Sequence, residues 1–564
     1  MTSEQADPVT PRPRFERATQ RLRDSLGALA LTARSRDLRR AQLSFGAAWA
    51  AEWAFTVALG VVAFRDGGAS AVGLVALLRM VPAALLGPLG SAFADRLPRD
   101  RVLIALGLVR AAAIGGGALL LTLDGPLPAV YVLAVVQTVA VTVFRSTHSA
   151  LLPALCTSPR ELTSAAVVRG LLDSVGVLLG PLLAALLLGV SGSAAVFLAT
   201  ALMSLWAAVL LHGLDCEHMP RVTEEQRPNL AREAARGLRA IAGQRDLSVL
   251  VGLALAQTFT RGCFTVLVVV VAIDLLETGD SGVGVLTAAV GVGALAGSLA
   301  ATMLVEGHRV ATFLGVGVAL WGMPIAVSGV LPASFLIVVV FAVIGIGNAL
   351  VDVGLYTLPA RLVPDDVLAR VYGSIESLIA LFVGLGAILT PLVITALGLR
   401  GAMVALGLVC PLLVALGWRR LRRLDADVAE RDEEVAALRR VELLRPLPMP
   451  AIELLALNLR RLEVKAGATV FSQGDQGDSF YVVLSGAADV QRNGRRLRSL
   501  GPGDSFGEIA LLRETHRTAT ITATAPLGLF VLERRHFVPM VTGYRASAAE
   551  ADAKVVALMP ELSR

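Results

Sequence analysis

Two residues of opposite charge, Glu508 and Arg517, lie close together in one short stretch of the chain. It reads Phe506-Gly507-Glu508-Ile509-Ala510-Leu511-Leu512, followed by His516-Arg517-Thr518-Ala519-Thr520. A guanidinium forks onto two oxygens of a phosphate. A carboxylate accepts a hydrogen bond from a sugar hydroxyl. Gly507 lets backbone come close to a ligand. A short helix beginning near Glu508 would turn free N–H groups toward an anion. The chemistry is that of a cradle for a phosphorylated sugar.

The elements that must position this cradle are turns and short strands. Gly467-Ala468-Thr469-Val470-Phe471 and the stretch Gln473-Gly474-Asp475 through Tyr481-Val482-Val483 precede it. Ser485-Gly486 and Asn493-Gly494 stand where hairpins would turn, and Asn-Gly is a strong turn signal. Gly501-Pro502-Gly503-Asp504 leads into the cradle. In order and content this region resembles cyclic-nucleotide-binding domains, as in kinase regulatory subunits and gated channels. The resemblance implies a jelly-roll-like β-roll and makes Phe506, Gly507, Glu508, Ile509, Ala510, Arg517, Thr518 and Ala519 the nucleotide contacts. It implies a regulatory ligand, cyclic AMP or cyclic GMP, and no cofactor. The alternative is a β-roll that has lost its ligand, yet both the acid and the base are present. Thr518 follows the arginine, where the family tunes purine choice, and its hydroxyl suits a guanine amino group; members answering to both nucleotides share it. The family closes over the base with a C-terminal helix. Here the candidate lid is the short stretch from Ala546 to Arg564, with Val555, Val556, Leu558 and Met559 apolar.

The rest of the chain is a different material. Its 564 residues are 55% hydrophobic, with a mean hydropathy of +0.69. Apolar runs near twenty residues recur, each long enough to cross about 30 Å of hydrocarbon. The net charge of +6 resides in loops, which does not point to nucleic acid. Cys156, Cys216, Cys263 and Cys410 are scattered and fit neither a disulfide nor a zinc pattern. Residues 1–40 are Arg-rich without an apolar core, a basic cytosolic segment and not a secretory signal.

About twelve spans are expected, near 42–64, 70–93, 102–123, 128–151, 163–190, 194–213, 247–273, 281–305, 309–331, 333–357, 366–397 and 400–420. Arginines crowd alternate loops, so both termini and the nucleotide domain should face the cytosol. The halves repeat at an offset of roughly two hundred residues, as parallel repeats do. Val168-Arg169-Gly170-Leu171-Leu172-Asp173-Ser174 answers Val371-Tyr372-Gly373-Ser374-Ile375-Glu376-Ser377, and Leu152-Pro153-Ala154 answers Leu358-Pro359-Ala360. Ser91-Ala92-Phe93-Ala94-Asp95-Arg96-Leu97-Pro98-Arg99 resembles the loop 2–3 signature G-x-x-x-D-R-x-G-R of the major facilitator superfamily, with Ser91 and Pro98 replacing glycines. Gly176 through Ala185, with Gly180 and Pro181, resembles that superfamily's antiporter signature, and Leu151 through Leu162 is similar to its macrolide and siderophore exporters. The fold expected is an all-α polytopic bundle of two six-helix pseudo-repeats, followed by the β-roll.

The domain plan is a basic segment 1–40, an N-terminal half 41–213, a cytosolic linker 214–246, a C-terminal half 247–420, a linker helix 421–446 and the nucleotide domain 447–564. In the linker helix Val428, Val435, Leu438 and Val441 form a near-heptad stripe, read either as a solvated linker or as a lever to the last span.

Ionisable groups at membrane depth are costly and mark pathways or partners. Glu52 in span 1 and Arg261 in span 7 are pseudo-symmetry mates, expected to face each other as a tunable or a static pair. Asp173, Glu376 and Asp352 join them as proton or substrate pathway candidates. Asp95, Arg96, Arg99 and Arg145 are expected to form a conformational latch, and Arg79 and Arg110 either line the cavity or pair with an Asp or Glu on a neighbouring span. Taken together, the residues read as a proton-coupled exporter of a small, amphipathic molecule, a monomer in the lipid bilayer regulated by cytosolic nucleotide. The alternative is a receptor that moves no solute. No Walker motif, nucleophile elbow or metal cluster supports an enzyme.

Overall fold

Helices that are apolar on every side satisfy all backbone groups internally, which is what a span in hydrocarbon demands. The computed structural model describes residues 35–94, 97–156, 159–214, 230–304, 309–331, 335–363, 365–447 and 449–558. In chain order its helices are α1 (Arg36–Ala94), α2 (Arg99–Thr122), α3 (Leu127–Leu155), α4 (Pro159–Val190), α5 (Ser193–Leu210), α6 (Leu230–Gly243), α7 (Arg245–Val270), α8 (Gly279–Leu304), α9 (Val310–Val330), α10 (Leu336–Leu362) and α11 (Asp365–Arg440). Among the described residues, 10 helices are long and apolar enough to cross a membrane. Two of these are double. α1 breaks at Gly67–Gly68, where Gly68 takes φ +61°, and α11 breaks at Gly398, φ +70°. With those two breaks the helices supply the dozen spans. Of the latch residues, Asp95 and Arg96 lie outside the described residues, as do residues 1–34 and 215–229.

Small residues decide how these helices meet, because the apolar effect gives no preference between lipid and protein. A Cβ added at Gly176 would stand 2.6 Å from the Trp49 ring, and one at Gly180 2.5 Å from the Ala50 carbonyl oxygen. The antiporter-like stretch of α4 is therefore seated on the first span of α1. Its other side meets α8: Gly284 lies against the Pro181 carbonyl and Gly291 against Leu178. The second span of α1 meets α11 the same way, with Gly73 against the Ala387 carbonyl and Gly384 against Leu77. The two halves thus join along two related seams, span 5 on span 8 and span 2 on span 11.

The chain divides into Met1–Arg423 and Leu424–Arg564. The second unit adds α12 (Met449–Ala456), α13 (Glu508–Leu512), α14 (Arg534–Gly543), α15 (Arg545–Leu558) and eight strands: β1 (Arg460–Val464), β2 (Thr469–Phe471), β3 (Ser479–Ser485), β4 (Ala488–Arg492), β5 (Arg495–Leu500), β6 (Ser505–Phe506), β7 (Thr520–Ala523) and β8 (Leu527–Glu533). They make two four-stranded antiparallel sheets, ordered β1-β8-β3-β6 and β2-β7-β4-β5. Asn493 and Gly494 both take positive φ, 51° and 76°, the two-residue turn that joins β4 to β5. Between the sheets lie Val483, Leu500, Phe506, Ile521 and Leu529. A second apolar layer covers the β3–β8 face with Phe480, Leu532 and Phe537. Val435 and Leu438 from the end of α11, and Val441 just past it, belong to that layer. These three residues of the stripe expected on a linker are core, the side chain of Val428 lying outside the described residues, and the unit starts at Leu424, upstream of the boundary expected at 447.

Enlarging Gly180 forces backbone apart where no flexible side chain can yield, at a cost of roughly 3 kcal/mol or more. Gly180→Leu should lower the melting temperature of the purified protein in detergent by several degrees, whereas Gly170→Ala, whose Cβ meets nothing within 4 Å, should leave it in place. Equal melting of both variants would refute the seam.

Candidate functional site

Arg517 is 4% exposed, and an arginine this deep needs acceptors for its donors. One terminal nitrogen donates to the Gly507 carbonyl at 2.9 Å and the other to the Ser479 carbonyl at 2.7 Å. Its plane lies over the Phe471 ring, 4.2 Å from the centroid, and 5.6 Å from that of Tyr481. Tyr481 in turn stacks on Phe506 at 5.0 Å. Burial lowers the guanidinium pKa from its ordinary value, and the charges of Tyr481, Asp478 and Glu508 oppose that shift. The backbone at Gly507 has φ +91°, a left-handed conformation costly for other residues, and a Cβ there would stand 2.7 Å from Arg517 Nη1. Glycine is required twice over at that position.

Gly507 caps α13, and Glu508 opens it at 2% exposure. Neither carboxylate oxygen accepts a hydrogen bond among the described residues. The nearest charge is Lys554 Nζ, 3.3 Å from Oε1. Beside these groups is a cavity of about 250 Å³ lined by Phe506, Gly507, Glu508, Ile509, Ala510, Arg517, Thr518 and Ala519. All eight candidates from the sequence therefore share one pocket. Its far wall, which the motif did not reveal, comes from β4 and β5: Val490, Arg492, Leu497 and Arg498. A pocket with a cation, a carboxylate awaiting a donor, and apolar walls suits a small anion bearing a hydroxyl and a flat ring.

The bundle carries two further charge clusters. Glu52 does not pair with Arg261. Its Oε1 lies 3.0 Å from Arg79 Nη2 and its Oε2 lies 3.9 Å from Arg110 Nη2; Gln137 donates to it as well. Two cations of its own half thus share it, so Arg79 and Arg110 take the pairing alternative. Arg79 is further held by Thr138 at 2.7 Å. Arg110, fully buried, donates to the Ala48 carbonyl at 3.0 Å and faces Phe144. The sequence reading looked across the pseudo-symmetry axis, whereas the nearer arginines of spans 2 and 3 reach Glu52 first.

Arg261 joins the other cluster. Asp352 lies in electrostatic reach of Arg261, Asp173, Arg145 and Glu376, and Asn348 donates to it at 2.8 Å. Asp173 also feels Arg169. Arg145 lies over the Trp49 ring at 4.5 Å and Arg169 over Phe45 at 4.4 Å. This cluster draws on both halves. Arg99 donates to the Ala150 carbonyl at 2.6 Å. His148 is fully buried inside α3 with Nε2 3.0 Å from the Ala41 carbonyl.

The family profile of the Major Facilitator Superfamily matches residues 43–276 and 250–472, which together are most of the chain. The chain belongs to the Major Facilitator Superfamily. A cyclic nucleotide-binding domain profile matches residues 461–544, so this superfamily member is a multi-pass membrane protein with a C-terminal cyclic-nucleotide-binding domain. Curated relatives match about a fifth of the chain. The cAMP-dependent protein kinase regulatory subunit of Yarrowia lipolytica is 37% identical over 108 residues, 19% of this chain and 29% of that one. Its counterpart in Debaryomyces hansenii is 34% identical over 115 residues, 20% and 25%. The chain thus spans less than a third of these relatives. Among solved structures, the regulatory domain of Toxoplasma gondii PKA with cAMP aligns at 26% identity and a TM-score of 0.21, over 23% of this chain and 52% of that chain. The sensor domain of the transcriptional regulator DNR from Pseudomonas aeruginosa aligns at 21% identity and 0.22, over 23% and 90%.

Removing the carboxylate between two buried arginines leaves uncompensated charge, which costs about 3–5 kcal/mol. Glu52→Gln should therefore destabilise the bundle strongly in thermal unfolding, and adding Arg79→Gln should recover part of the loss. A Glu52→Gln protein that melts like the parent would show that the cluster is not structural.

Proposed function

We propose that this chain is a secondary active transporter, a proton-coupled exporter of a small amphipathic molecule, whose conformational equilibrium is set by a cyclic nucleotide in the C-terminal pocket. The observation that carries the reading is the opposed pair in that pocket, a buried arginine and a buried carboxylate without a donor, within a chain of a transporter family. Arg517 would take the cyclic phosphate, with the backbone of Gly507 through Ala510 closing around it. Glu508 would accept from the sugar hydroxyl. Thr518, Arg492 and Arg498 would meet the base. A guanine offers O6 and N7 as adjacent acceptors, which arginine forks suit, whereas adenine places a donor there. These side chains favour cyclic GMP, and the kinase-subunit relatives bring cyclic AMP as the competing ligand.

In the bundle, the halves 41–213 and 247–420 would rock about their two seams as a monomer. Asp173, Asp352 and Glu376, with Arg261 and Arg145, form the site where a proton or the cargo is handled, since that cluster joins both halves. Asp95, Arg96 and Arg99 with Arg145 would latch one conformation. The Glu52 cluster is assigned to holding the N-terminal half together. Arginine-rich loops support cytosolic termini. The nucleotide regulates only to the extent that it binds one transport state better than the other; each tenfold preference shifts the equilibrium by about 1.4 kcal/mol. A receptor that moves no solute is the second reading, and flux decides between them.

Arg517→Ala should abolish binding of both nucleotides in calorimetric titration of the purified protein while leaving proton-driven flux in proteoliposomes present but insensitive to nucleotide. Regulation that survives in Arg517→Ala would overturn the cassette assignment; absence of any flux in the parent would favour the receptor.

A further inference from the structure

The charge cluster that joins the two halves of the bundle has a polarity. The N-terminal half brings two arginines and one carboxylate: Arg145, Arg169 and Asp173. The C-terminal half brings one arginine and two carboxylates: Arg261, Asp352 and Glu376. The internal repeat makes Glu376 the mate of Asp173, but it places the uncharged Tyr372 where the N-terminal half has Arg169. His148 adds no charge. Its Nε2 donates to the Ala41 carbonyl at 3.0 Å, which leaves Nδ1, 3.4 Å from Arg169 Nη1, as an acceptor. The charges therefore cancel over the whole cluster, while one half keeps a positive excess and the other a negative one.

These groups look into open space. Arg145, Asp352 and Glu376 are exposed, yet they come from spans 4, 10 and 11 and act on one another. The surface they expose is thus a shared interior one and not the lipid face. A Cβ added at Gly170, or at its repeat mate Gly373, would meet nothing within 4 Å. The cluster is also unsaturated. Asp173 Oδ1 has no hydrogen-bond partner among the described residues, although Arg145 and Arg169 both act on it. Those guanidiniums lie instead over the rings of Trp49 and Phe45. Trp53 extends the aromatic row, edge-on to Trp49 at 6.3 Å. A cation held over a ring face is bound weakly enough to turn to a better partner.

We propose that this site takes a zwitterion. Its anionic group, such as a carboxylate, meets Arg145 and Arg169 of the N-terminal half. Its ammonium meets Asp352 and Glu376 of the C-terminal half, and its apolar body lies against Trp49 and Trp53. The inference rests on the reading of this cluster as the cargo site and narrows the amphipathic molecule to one class. A neutral cluster leaves any singly charged cargo with uncompensated charge at membrane depth, which is costly. A cargo with both charges satisfies each pole and adds no net charge. Because its two ends belong to different halves, its binding draws the halves together at the site.

The test is calorimetric titration of the purified full chain with three probes of one shape: phenylalanine, phenethylamine and phenylpropionate. Phenylalanine should bind about tenfold tighter than either singly charged probe. Arg145→Gln leaves the site net negative and should move the preference to phenethylamine. Asp352→Asn leaves it net positive and should move the preference to phenylpropionate. Thermal melting checks that each variant folds, and where one does not, the other decides. Equal binding of the three probes by the parent, preference for a singly charged one, or binding of none would overturn the proposal, as would a preference that neither variant moves. Counterflow of phenylalanine in proteoliposomes separates this inference from the transporter reading. Binding with the expected preferences but without counterflow refutes transport and leaves the chemistry of the site standing. Counterflow of a singly charged probe in place of phenylalanine keeps transport and sinks the zwitterion.

Discussion

A guanidinium has five donors and a charge that does not titrate away, so removing one from water obliges the chain to supply acceptors, a counter-charge or an aromatic face. Both units are organised around that obligation. In the β-roll, Arg517 takes two main-chain carbonyls and the face of Phe471. In the bundle, Arg79 and Arg110 take one carboxylate, a threonine, a carbonyl and two aromatic faces. The difference lies in what is left over. Arg517 lines a cavity, whereas Arg110 is closed off completely.

The pocket was readable from sequence because its chemistry is local. Phe506 through Ala510 and Arg517 through Ala519 lie within one turn-helix-strand passage, so residue type and spacing nearly determine what they surround. The hairpin at Asn493-Gly494 was legible for the same reason. The far wall from Arg492 and Arg498, and Lys554 on the last helix, arrive through tertiary packing that no local pattern encodes. In the bundle, the internal repeat led to pairing Glu52 with Arg261. Symmetry relates positions, but it does not say which neighbour is nearer, and arginines on adjacent spans of the same half reach the carboxylate first.

Glycine pattern and apolar periodicity gave the bundle's outline, but its seams depend on where a missing Cβ lets two backbones touch. Gly180 on Ala50 and Gly284 on Pro181 are the same device used on opposite sides of one helix. The α4 helix is thereby both the partner of span 1 within its half and the partner of span 8 across halves. A helix fixed on both flanks moves as a piece of the seam, which suits rocking of whole halves better than bending within one.

Burial of Val435, Leu438 and Val441 beside Phe480 and Phe537 bears on how such a domain can be shared among proteins. The proline cluster after residue 445 looks like a natural place to cut, yet a fragment beginning there would leave one face of the β3–β8 sheet bare and prone to aggregate. The transplantable module begins near Leu424, and any gene fusion that carries this domain to a new host must bring the preceding helix with it.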